Sequence, residues 1–283
     1  MKSDCDFLRT INRNEFENLL ELAHLEDWNP GIHDADSFYN TDPDGFIGYY
    51  VKGKLAGCIS AVAYDEDFGF MGFYIVKPEY RGLGYGKKLC EAAISYLGNG
   101  NIGIDGLIAM KDKYANFGFK LAYQNNRYKV IAHPIAFDDT TQPLKNTTFN
   151  QLSAFDHLHF PTRRDVFLYN WIHQPEGIGF VVLTKDDKID GFIYIRKCFE
   201  GYKVGPLFAL TQKSARTLLC KAIATLPEGT SLFIDVPEVN ADAVKLANEL
   251  AIPTGFSTVR MYSQKTPDFN INGVYGVTSY ELG

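Results

Sequence analysis

The sequence predicts an α/β fold made twice: two domains in tandem, each with a mixed, splayed sheet (α+β type) flanked by helices. The first observation is a strand, a glycine-rich turn and a helix that follow one another through residues 68–97. The second is a repeat, since the same order of apolar runs returns about 130 residues further along the chain. A length of 283 residues is enough for two domains of ordinary size.

The composition narrows the function classes before any motif is considered. The net charge of −6 argues against general nucleic-acid binding. No apolar run reaches the roughly 18 residues of a membrane helix, and residues 1–6 lack a signal-peptide core. There is no C-x-x-C pair, and we expect reduced thiols in a cytoplasmic protein at the five cysteines, Cys5, Cys58, Cys90, Cys198 and Cys220.

The first half begins with a helix, because Asn12 and Glu15 form a capping pattern before a run with helical spacing. Residues 26–44 are expected to be irregular, with two turn signals. Apolar runs then predict strands at 46–51, 55–64, 68–76 and 102–106, with the helix after the glycine-rich turn preceding the last of them. Residues 119–123 and 127–131 are expected to form a hairpin around Gln124-Asn125-Asn126.

Negative charge is concentrated near the start of the chain. From Asn14 to Val51 there are nine acidic residues and no lysine or arginine. One interpretation is a solvated acidic face with caps and turns. The other is an entrance whose field attracts a cationic amine.

The turn Arg81-Gly82-Leu83-Gly84-Tyr85-Gly86 leaves the backbone bare of side chains where a helix begins. Its N–H groups and the positive end of the helix dipole face one point, which suits a phosphate. The nucleoside-triphosphate loop is excluded, because Arg81 stands at its first glycine and Lys88 replaces its hydroxyl residue. The dinucleotide pattern is excluded, because Lys87 stands at its third glycine. A tight connection without a ligand is the alternative.

The pattern that remains, Arg-x-x-Gly-x-Gly after a strand ending Ile75-Val76-x-Pro78, resembles the acetyl-CoA pyrophosphate loop of the GNAT N-acetyltransferase superfamily. The resemblance implies acetyl-CoA as co-substrate, no metal, and a pantetheine arm lying beside the strand that precedes the loop. The cofactor-binding residues that it implies are Tyr74, Ile75, Val76, Arg81, Gly82, Leu83, Gly84, Tyr85, Gly86 and Lys87.

Tyr114 stands four residues before Gly118-Phe119, where the resemblance implies a tyrosine that protonates the coenzyme A sulfur. A core tyrosine on a short helix is the alternative. The asparagine and alanine that this family often has nearby are replaced by Leu107 and Met110. For the general base Asp105, at the end of its strand, is the best single candidate. One alternative is that Asp105 is a structural carboxylate, which is favoured by Asp235 in the matching place of the second half. The other is a base within residues 26–44 that acts through a water chain.

The second half keeps the strand and the helix but lacks the glycines and the arginine of the loop, reading Gly205 to Ser214 instead. We therefore expect an acetyl-CoA-binding domain at 1–135, a linker at 136–146, and a degenerate GNAT-like domain at 147–283 that walls the acceptor cleft. His157-x-His159 has no third ligand nearby, so no metal site is predicted. Asn240 and Ala243, which follow Asp235, are expected to cap and pack a helix rather than to have a role in function.

The predicted function is an acetyl-CoA-dependent N-acetyltransferase acting by direct transfer on a primary amine of a small molecule or on an exposed amino group. The acceptor is expected near Trp28 and Asn29, in a Trp-Asn-Pro-Gly segment that resembles tandem members of the superfamily. Neither nucleic acid nor a membrane is an expected partner. The alternatives are a non-catalytic acyl-CoA-binding or sensing protein, and a structural α/β protein without a cofactor.

Overall fold

The computed structural model describes residues 6–283, so Cys5 and the expectation for the first five residues lie outside it. The first half contains, in chain order, β1 (Phe7–Thr10), α1 (Phe16–Leu25), α2 (Asp34–Thr41), β2 (Phe46–Val51), β3 (Lys54–Ala63), β4 (Phe68–Val76), α3 (Tyr85–Leu97), β5 (Asn101–Leu107), α4 (Lys111–Ala115) and β6 (Lys120–Ile131). The second half contains β7 (Thr141–Pro143), α5 (Phe149–His157), α6 (Asp165–Ile172), β8 (Ile178–Leu183), β9 (Ile189–Lys197), β10 (Tyr202–Ala209), α7 (Gln212–Thr225), β11 (Ser231–Pro237), α8 (Ala241–Leu250), β12 (Ile252–Tyr262) and β13 (Val274–Gly276).

The predicted helix starts are confirmed by their caps and buried faces. The Glu15 carboxylate accepts a hydrogen bond from the Asn12 backbone N–H at 3.3 Å, and the apolar side of α1 is fully buried. Asn240 caps α8, since its side-chain oxygen accepts from the Ala243 backbone N–H at 3.1 Å. Local capping chemistry therefore fixes these starts as the sequence predicts.

The segment at 26–44 is less irregular than expected, because it contains helix α2. This helix is mostly polar, but Phe38 on its buried side stacks on Trp171 of α6 with ring centroids 5.6 Å apart. Asp34 at its start accepts from the Gly31 backbone N–H at 2.8 Å. Contacts with the second half thus stabilise a helix that its own sequence signals only weakly.

The predicted hairpin around Gln124-Asn125-Asn126 is wrong, because β6 is one continuous strand through these residues. Asn125 and Asn126 lie opposite Pro237 and Val236 of β11 on one side, and opposite Thr258 and Ser257 of β12 on the other. A partner strand on each side satisfies the backbone of both residues, which outweighs their local preference for a turn.

All strands join one mixed sheet in which the two halves exchange their last strands. Along the sheet the order is β1-β2-β3-β4-β5-β12-β6-β11-β10-β9-β8-β7, and β13 pairs with β10. Strand β12 therefore completes the first half beside β5, and β6 completes the second half beside β11. The tandem mixed α/β fold is confirmed, while the division at residues 135 and 147 stays a proposal.

Two buried ion pairs join the exchanged strands at equivalent positions. Arg260 of β12 lies opposite Asp105 of β5, and its guanidinium donates to both carboxylate oxygens at 2.8 and 2.5 Å. Arg127 of β6 lies opposite Asp235 of β11 and makes the same two bonds at 2.7 and 3.0 Å. Bidentate pairs of this kind fix register as well as adding energy.

The sheet opens beside β4, and this opening positions the site. Parallel pairing of β4 with β5 runs from Phe68 to Met71 and ends there. A bulge follows opposite β3, where Phe73 has a φ of +46°. Such bulges bend a strand and redirect its side chains. Beyond the bulge, β4 diverges from β5. Within residues 6–283, the backbone edge of β4 that faces the resulting gap pairs with no other strand.

Candidate active site

A cavity of about 730 Å³ lies in the gap between β4 and β5. Every predicted site residue except Leu83 and Asn29 is among its lining residues. The structure therefore gathers residues from β4, the glycine-rich turn, β5 and α4 around one space. This gathering is a fact of geometry, and the role of each residue stays a proposal.

The glycine-rich turn forms one end of the cavity. Gly82 and Gly84 have φ values of +80° and +83°, a region that favours glycine, and α3 begins at Tyr85 immediately after them. The start of α3 carries no side-chain cap. A Cβ at Gly86 would overlap the Tyr74 hydroxyl, so the helix start packs closely on β4. Exposed helix N–H groups beside bare backbone make a cradle that fits a phosphate.

Three cationic side chains line the cavity: Arg81 and Lys87 from the turn and the start of α3, and Lys113 from α4. Arg81 also fixes the turn, because its Nε donates to the Val76 carbonyl at 2.8 Å and its guanidinium pairs with Glu26. The side chain of Leu83 is exposed and does not line the cavity, so only its backbone is available to a ligand there.

Tyr114 lines the cavity and lies near the end of α4. Its ring is buried against Gly106, where a Cβ would overlap it, and stands 6.2 Å from the Tyr74 ring. Burial raises the pKa of the Tyr114 phenol, so the hydroxyl keeps its proton at neutral pH. That is the state in which a phenol acts as a general acid. Burial also raises the pKa of the neighbouring Cys90 thiol to about 11, which makes it a poor nucleophile.

Asp105 lines the same wall, but its carboxylate is engaged. Both oxygens accept from Arg260, and Asn125 Nδ2 donates to one of them at 2.8 Å. Burial raises the pKa of this carboxyl group, and the Arg260 charge acts in the opposite direction. Protonation of Asp105 would leave Arg260 buried without its counter-charge, so the geometry favours a structural role over that of a general base.

The two predicted acceptor residues are separated. Trp28 lines the cavity, and its carbonyl accepts from Arg127 Nη1 at 3.1 Å and from Lys203 Nζ at 2.9 Å. Asn29 turns away, because its side chain exchanges two hydrogen bonds with the backbone of Glu200 at 2.9 and 2.8 Å. Asn29 therefore ties the two halves together, and the structure does not bring it to the cavity.

The acidic run between Asn14 and Val51 does not form the entrance. Of its nine acids only Glu26 lines the cavity. Others pair elsewhere, as Glu15 does with Arg9 at 2.8 Å and Asp34 with Arg196 at 2.9 Å. The interpretation as a paired and solvated face is the one that the geometry favours.

Three lining residues come from the second half and have no signal in the sequence: Phe256, Thr258 and Tyr280. Phe256 and Thr258 lie on the exchanged strand β12, and Tyr280 follows β13. The strand exchange brings Phe256 and Thr258 to the first half's cavity, and the segment after β13 brings Tyr280. A pattern within either half does not reveal these placements.

Neither a metal site nor a membrane helix is found within the described part of the chain. Residues 6–283 hold no cluster of three or more possible metal ligands, and none of their helices is long and apolar enough to cross a membrane. His159 is a buried core histidine, and its Nδ1–H donates to the Phe155 carbonyl at 2.9 Å.

Two family models match the chain, one in each half. Residues 13–117 match a model described as "Acetyltransferase (GNAT) family", and residues 152–276 match one described as "Acetyltransferase (GNAT) domain". The matches do not overlap, and together they span well over half of the chain. The repeat in the sequence is thus a repeat of one kind of domain.

Relatives of similar length share the whole arrangement. A holothin acyltransferase from Pseudoalteromonas sp. (strain SANK 73390) is 29% identical over 270 residues, which cover 95% of this chain and 92% of that protein. A Pyrococcus horikoshii structure described as an acetyltransferase has a TM-score of 0.82 at 21% identity, covering 98% and 96% of the two chains. A tandem GNAT protein from the clavulanic acid biosynthesis pathway has a TM-score of 0.64 at 11% identity, covering 93% and 100%. At these identities the two structures show the fold alone.

Proposed function

Because the chain belongs to the GNAT acetyltransferase superfamily as a tandem acyltransferase, we propose that it transfers the acetyl group of acetyl-CoA to a primary amine. The acceptor amine belongs to a small molecule or to an exposed amino group. The observation that carries the proposal is the unpaired edge of β4, which leads along the cavity to the uncapped start of α3. A ligand with amide groups at one end and phosphates at the other fits both features.

The residues have separate tasks in this proposal. Backbone N–H groups from Leu83 to Lys87 hold the pyrophosphate, and the backbone at Tyr74, Ile75 and Val76 binds the amide-containing arm. Arg81, through its bond to the Val76 carbonyl, keeps the turn in register with the strand. Asp105 positions Arg260 and β12 rather than taking a proton.

Tyr114 is the proposed proton donor. An acyl thioester, when bound, supplies an activated acyl carbon and a thiolate leaving group. A protonated phenol that lines the cavity stabilises that thiolate by donating its proton. The place of Tyr114 on the cavity wall supports this assignment, and its raised pKa leaves the phenol protonated at neutral pH.

We also propose a cytoplasmic location. The four cysteines within residues 6–283 are all buried, unpaired thiols. Thiols persist in this state in reducing compartments.

Thermal unfolding with coenzyme A tests the cofactor part of the proposal. A ligand that binds only the folded state raises the midpoint, by about 5–10 °C at a concentration one hundred times its dissociation constant. Calorimetric titration is expected to give one site per chain. Release of free thiol from acetyl-CoA in the presence of amines then tests transfer. No midpoint shift at saturating coenzyme A contradicts the proposal outright, and binding without turnover across a broad amine panel contradicts the catalytic part.

A further inference from the structure

The inner end of the cavity has a composition of its own. We call it the inner chamber, defined by the lining residues Trp28, Asp105, Phe256, Thr258 and Tyr280. The Phe256 and Tyr280 rings stack at 6.1 Å between centroids with an interplanar angle of 30°. These residues come from β5, β12, the segment after β13 and the loop after α1, and none belongs to β4 or to the glycine-rich turn. If acetyl-CoA occupies the β4 edge, as proposed above, the inner chamber is where the acceptor binds.

The charges around the inner chamber do not suit a cationic ligand. The cavity wall holds two carboxylates, Glu26 and Asp105, and each pairs with an arginine. Arg127 lies directly behind the aromatic rings, 4.5 Å from the Phe256 centroid and 5.3 Å from that of Tyr280. A buried ammonium ion without a counter-charge costs several kcal/mol, even after local relaxation.

The charged groups behind the Phe256 and Tyr280 rings are also paired with opposite charges or held neutral. Asp235 pairs with Arg127, and Lys203 donates to the Trp28 carbonyl. Deeper still, Asp34 pairs with Arg196, and burial raises the pKa of the Glu281 carboxyl group, which favours its neutral form. Each carboxylate of this region is thus matched by a cation or biased toward neutrality.

The proton chemistry points in the same direction. An alkylammonium acceptor must lose a proton to a base before its nitrogen can attack. Asp105 and Glu26 are both held in ion pairs, so neither lining carboxylate is available as that base. An amine that is already neutral has its lone pair free and needs no base for the attack.

We propose that the inner chamber takes a planar primary amine that is uncharged at neutral pH, of the aromatic or heteroaromatic class. Its ring stacks among Trp28, Phe256 and Tyr280. The Trp28 Nε1–H is buried and has no hydrogen-bond partner among residues 6–283, and a polar substituent of the acceptor is its proposed partner. This inference rests on the proposed function and narrows its acceptor.

The transfer step balances without a further reactant. The lone pair of the neutral nitrogen forms the new C–N bond at the acetyl carbon, and the C–S bond breaks with its electron pair passing to sulfur. Tyr114 gives its proton to sulfur, and the nitrogen loses one proton, which restores Tyr114 directly or through water. The products are an N-aryl acetamide and coenzyme A.

Aniline and cyclohexylamine test the inference, because both carry one amino group on a six-membered carbon ring and only the second is a cation at pH 7. With the full chain and acetyl-CoA at pH 7, we expect kcat/KM for aniline to exceed that for cyclohexylamine more than about tenfold, which corresponds to about 1.4 kcal/mol. Titration of the coenzyme A-saturated protein is expected to show binding of aniline alone. Preference for cyclohexylamine in either measurement overturns the inference.

The substitution Trp28→Phe tests the location of the acceptor. It keeps an aromatic ring and removes the N–H, so we expect the KM for an aromatic amine with a polar ring substituent, such as 4-aminobenzamide, to rise while the KM for acetyl-CoA is unchanged. An unchanged KM for both substrates overturns the placement. If coenzyme A raises the unfolding midpoint but neither ring amine binds or reacts, the acceptor inference fails and the cofactor proposal stands. If coenzyme A itself does not bind, the proposed function fails first.

Discussion

The two halves are built from the same elements and differ at the edge of one strand. In the first half β4 leaves β5 after Met71, and the gap is a cavity. In the second half β10 leaves β11 after Lys203, but β13 pairs with β10 in the gap, and the Val277 N–H donates to the Asp235 carbonyl of β11 at 2.9 Å. A splayed sheet leaves one strand edge with unpaired backbone groups in its gap. The second half covers this edge with its own strand β13, and the first half leaves it open.

The helix starts show the same contrast. Helix α3 begins after Gly84 without a side-chain cap. Helix α7 begins at Gln212 and is capped by Thr211, whose Oγ1 accepts from the Ser214 backbone N–H at 3.2 Å and donates to an Asp190 carboxylate oxygen at 3.2 Å. An acidic side chain thus already lies at the positive end of the α7 dipole. In the second half Asp190 supplies a negative charge at the start of α7. In the first half the start of α3 has no side-chain cap and is open.

Replacement of Tyr114 by Phe is expected to give the largest effect, since only the first half is proposed to carry the chemistry. The change keeps the buried ring and removes the proton donor, so kcat should fall by about 10²–10⁴ with little change in coenzyme A affinity. Tyr169→Phe, the same change at an exposed residue of the second half, is the control and should keep full activity. Steady-state kinetics with a coenzyme A titration checks both. Equal turnover of the two variants would remove Tyr114 from the mechanism.

Two buried ion pairs, Arg260–Asp105 and Arg127–Asp235, join the exchanged strands to their neighbours. Breaking either pair tests whether the two halves depend on each other equally. Arg260→Met leaves Asp105 buried without its partner, and Arg127→Met does the same to Asp235. Each is expected to lower the free energy of unfolding by about 3–5 kcal/mol. Replacing the aspartate by Leu together with its arginine by Met should recover much of the loss in each case. Denaturant unfolding of the four variants measures these changes in the free energy of unfolding. A loss of stability from only one of the two arginine substitutions would contradict equal dependence of the two halves.

Lys203 of β10 gives the second half a pH-dependent stability that Phe70, which has the equivalent strand register in the first half, does not provide. Burial lowers the pKa of Lys203 to about 8. Between pH 8 and about 10.5 the unfolded chain therefore holds this proton and the folded chain does not, so the group's contribution to stability rises with pH. Relative to Lys203→Met, the wild type should gain about 1–3 kcal/mol across this window. Denaturant unfolding of both proteins at pH 7, 8, 9 and 10 measures the difference, which a parallel pH dependence would refute.

Two glycines of nearly equal φ give the smallest effect and the cleanest control. Gly84, in the turn before α3, and Gly229, in the second half, have φ values of +83° and +85°, and a Cβ at either would meet no atom within 4 Å. Substitution by Ala should lower stability by about 1–2 kcal/mol at both sites. Only Gly84→Ala is expected to weaken coenzyme A binding, as measured by titration. Equal affinity in both variants would separate the turn from cofactor binding.

The sequence alone predicts what is local in this molecule. The turn from Arg81 to Gly86, the place of Tyr114 before Gly118, and the helix caps depend on residues a few positions apart, and the structure has the turn and the helices where the patterns predict them. The repeat is also visible, because it compares the chain with itself. These features were sufficient to identify twelve of the lining residues of the cavity.

What the sequence does not predict depends on contacts between distant strands. The sequence of residues 119–131 favours a hairpin, but β11 and β12 pair with both edges of this segment and it forms one strand. The sequence around Asp105 gives no sign of an ion partner, because Arg260 is 155 positions further along the chain. Phe256 and Thr258 enter the cavity because β12 is exchanged, and Tyr280 enters from the segment after β13. No periodicity within one half encodes these placements.

The exchange of last strands also governs when this protein becomes complete during its synthesis. Strand β6 leaves the ribosome long before β11 exists to receive it, and the place beside β5 stays vacant until residues 252–262 have emerged. Domains usually fold one after another as the chain grows, at about 5–20 residues per second. Here the first half waits several seconds for its last strand, and a nascent or prematurely terminated chain has a cavity without its far wall. Assembly of the site is thereby coupled to translation of nearly the whole message.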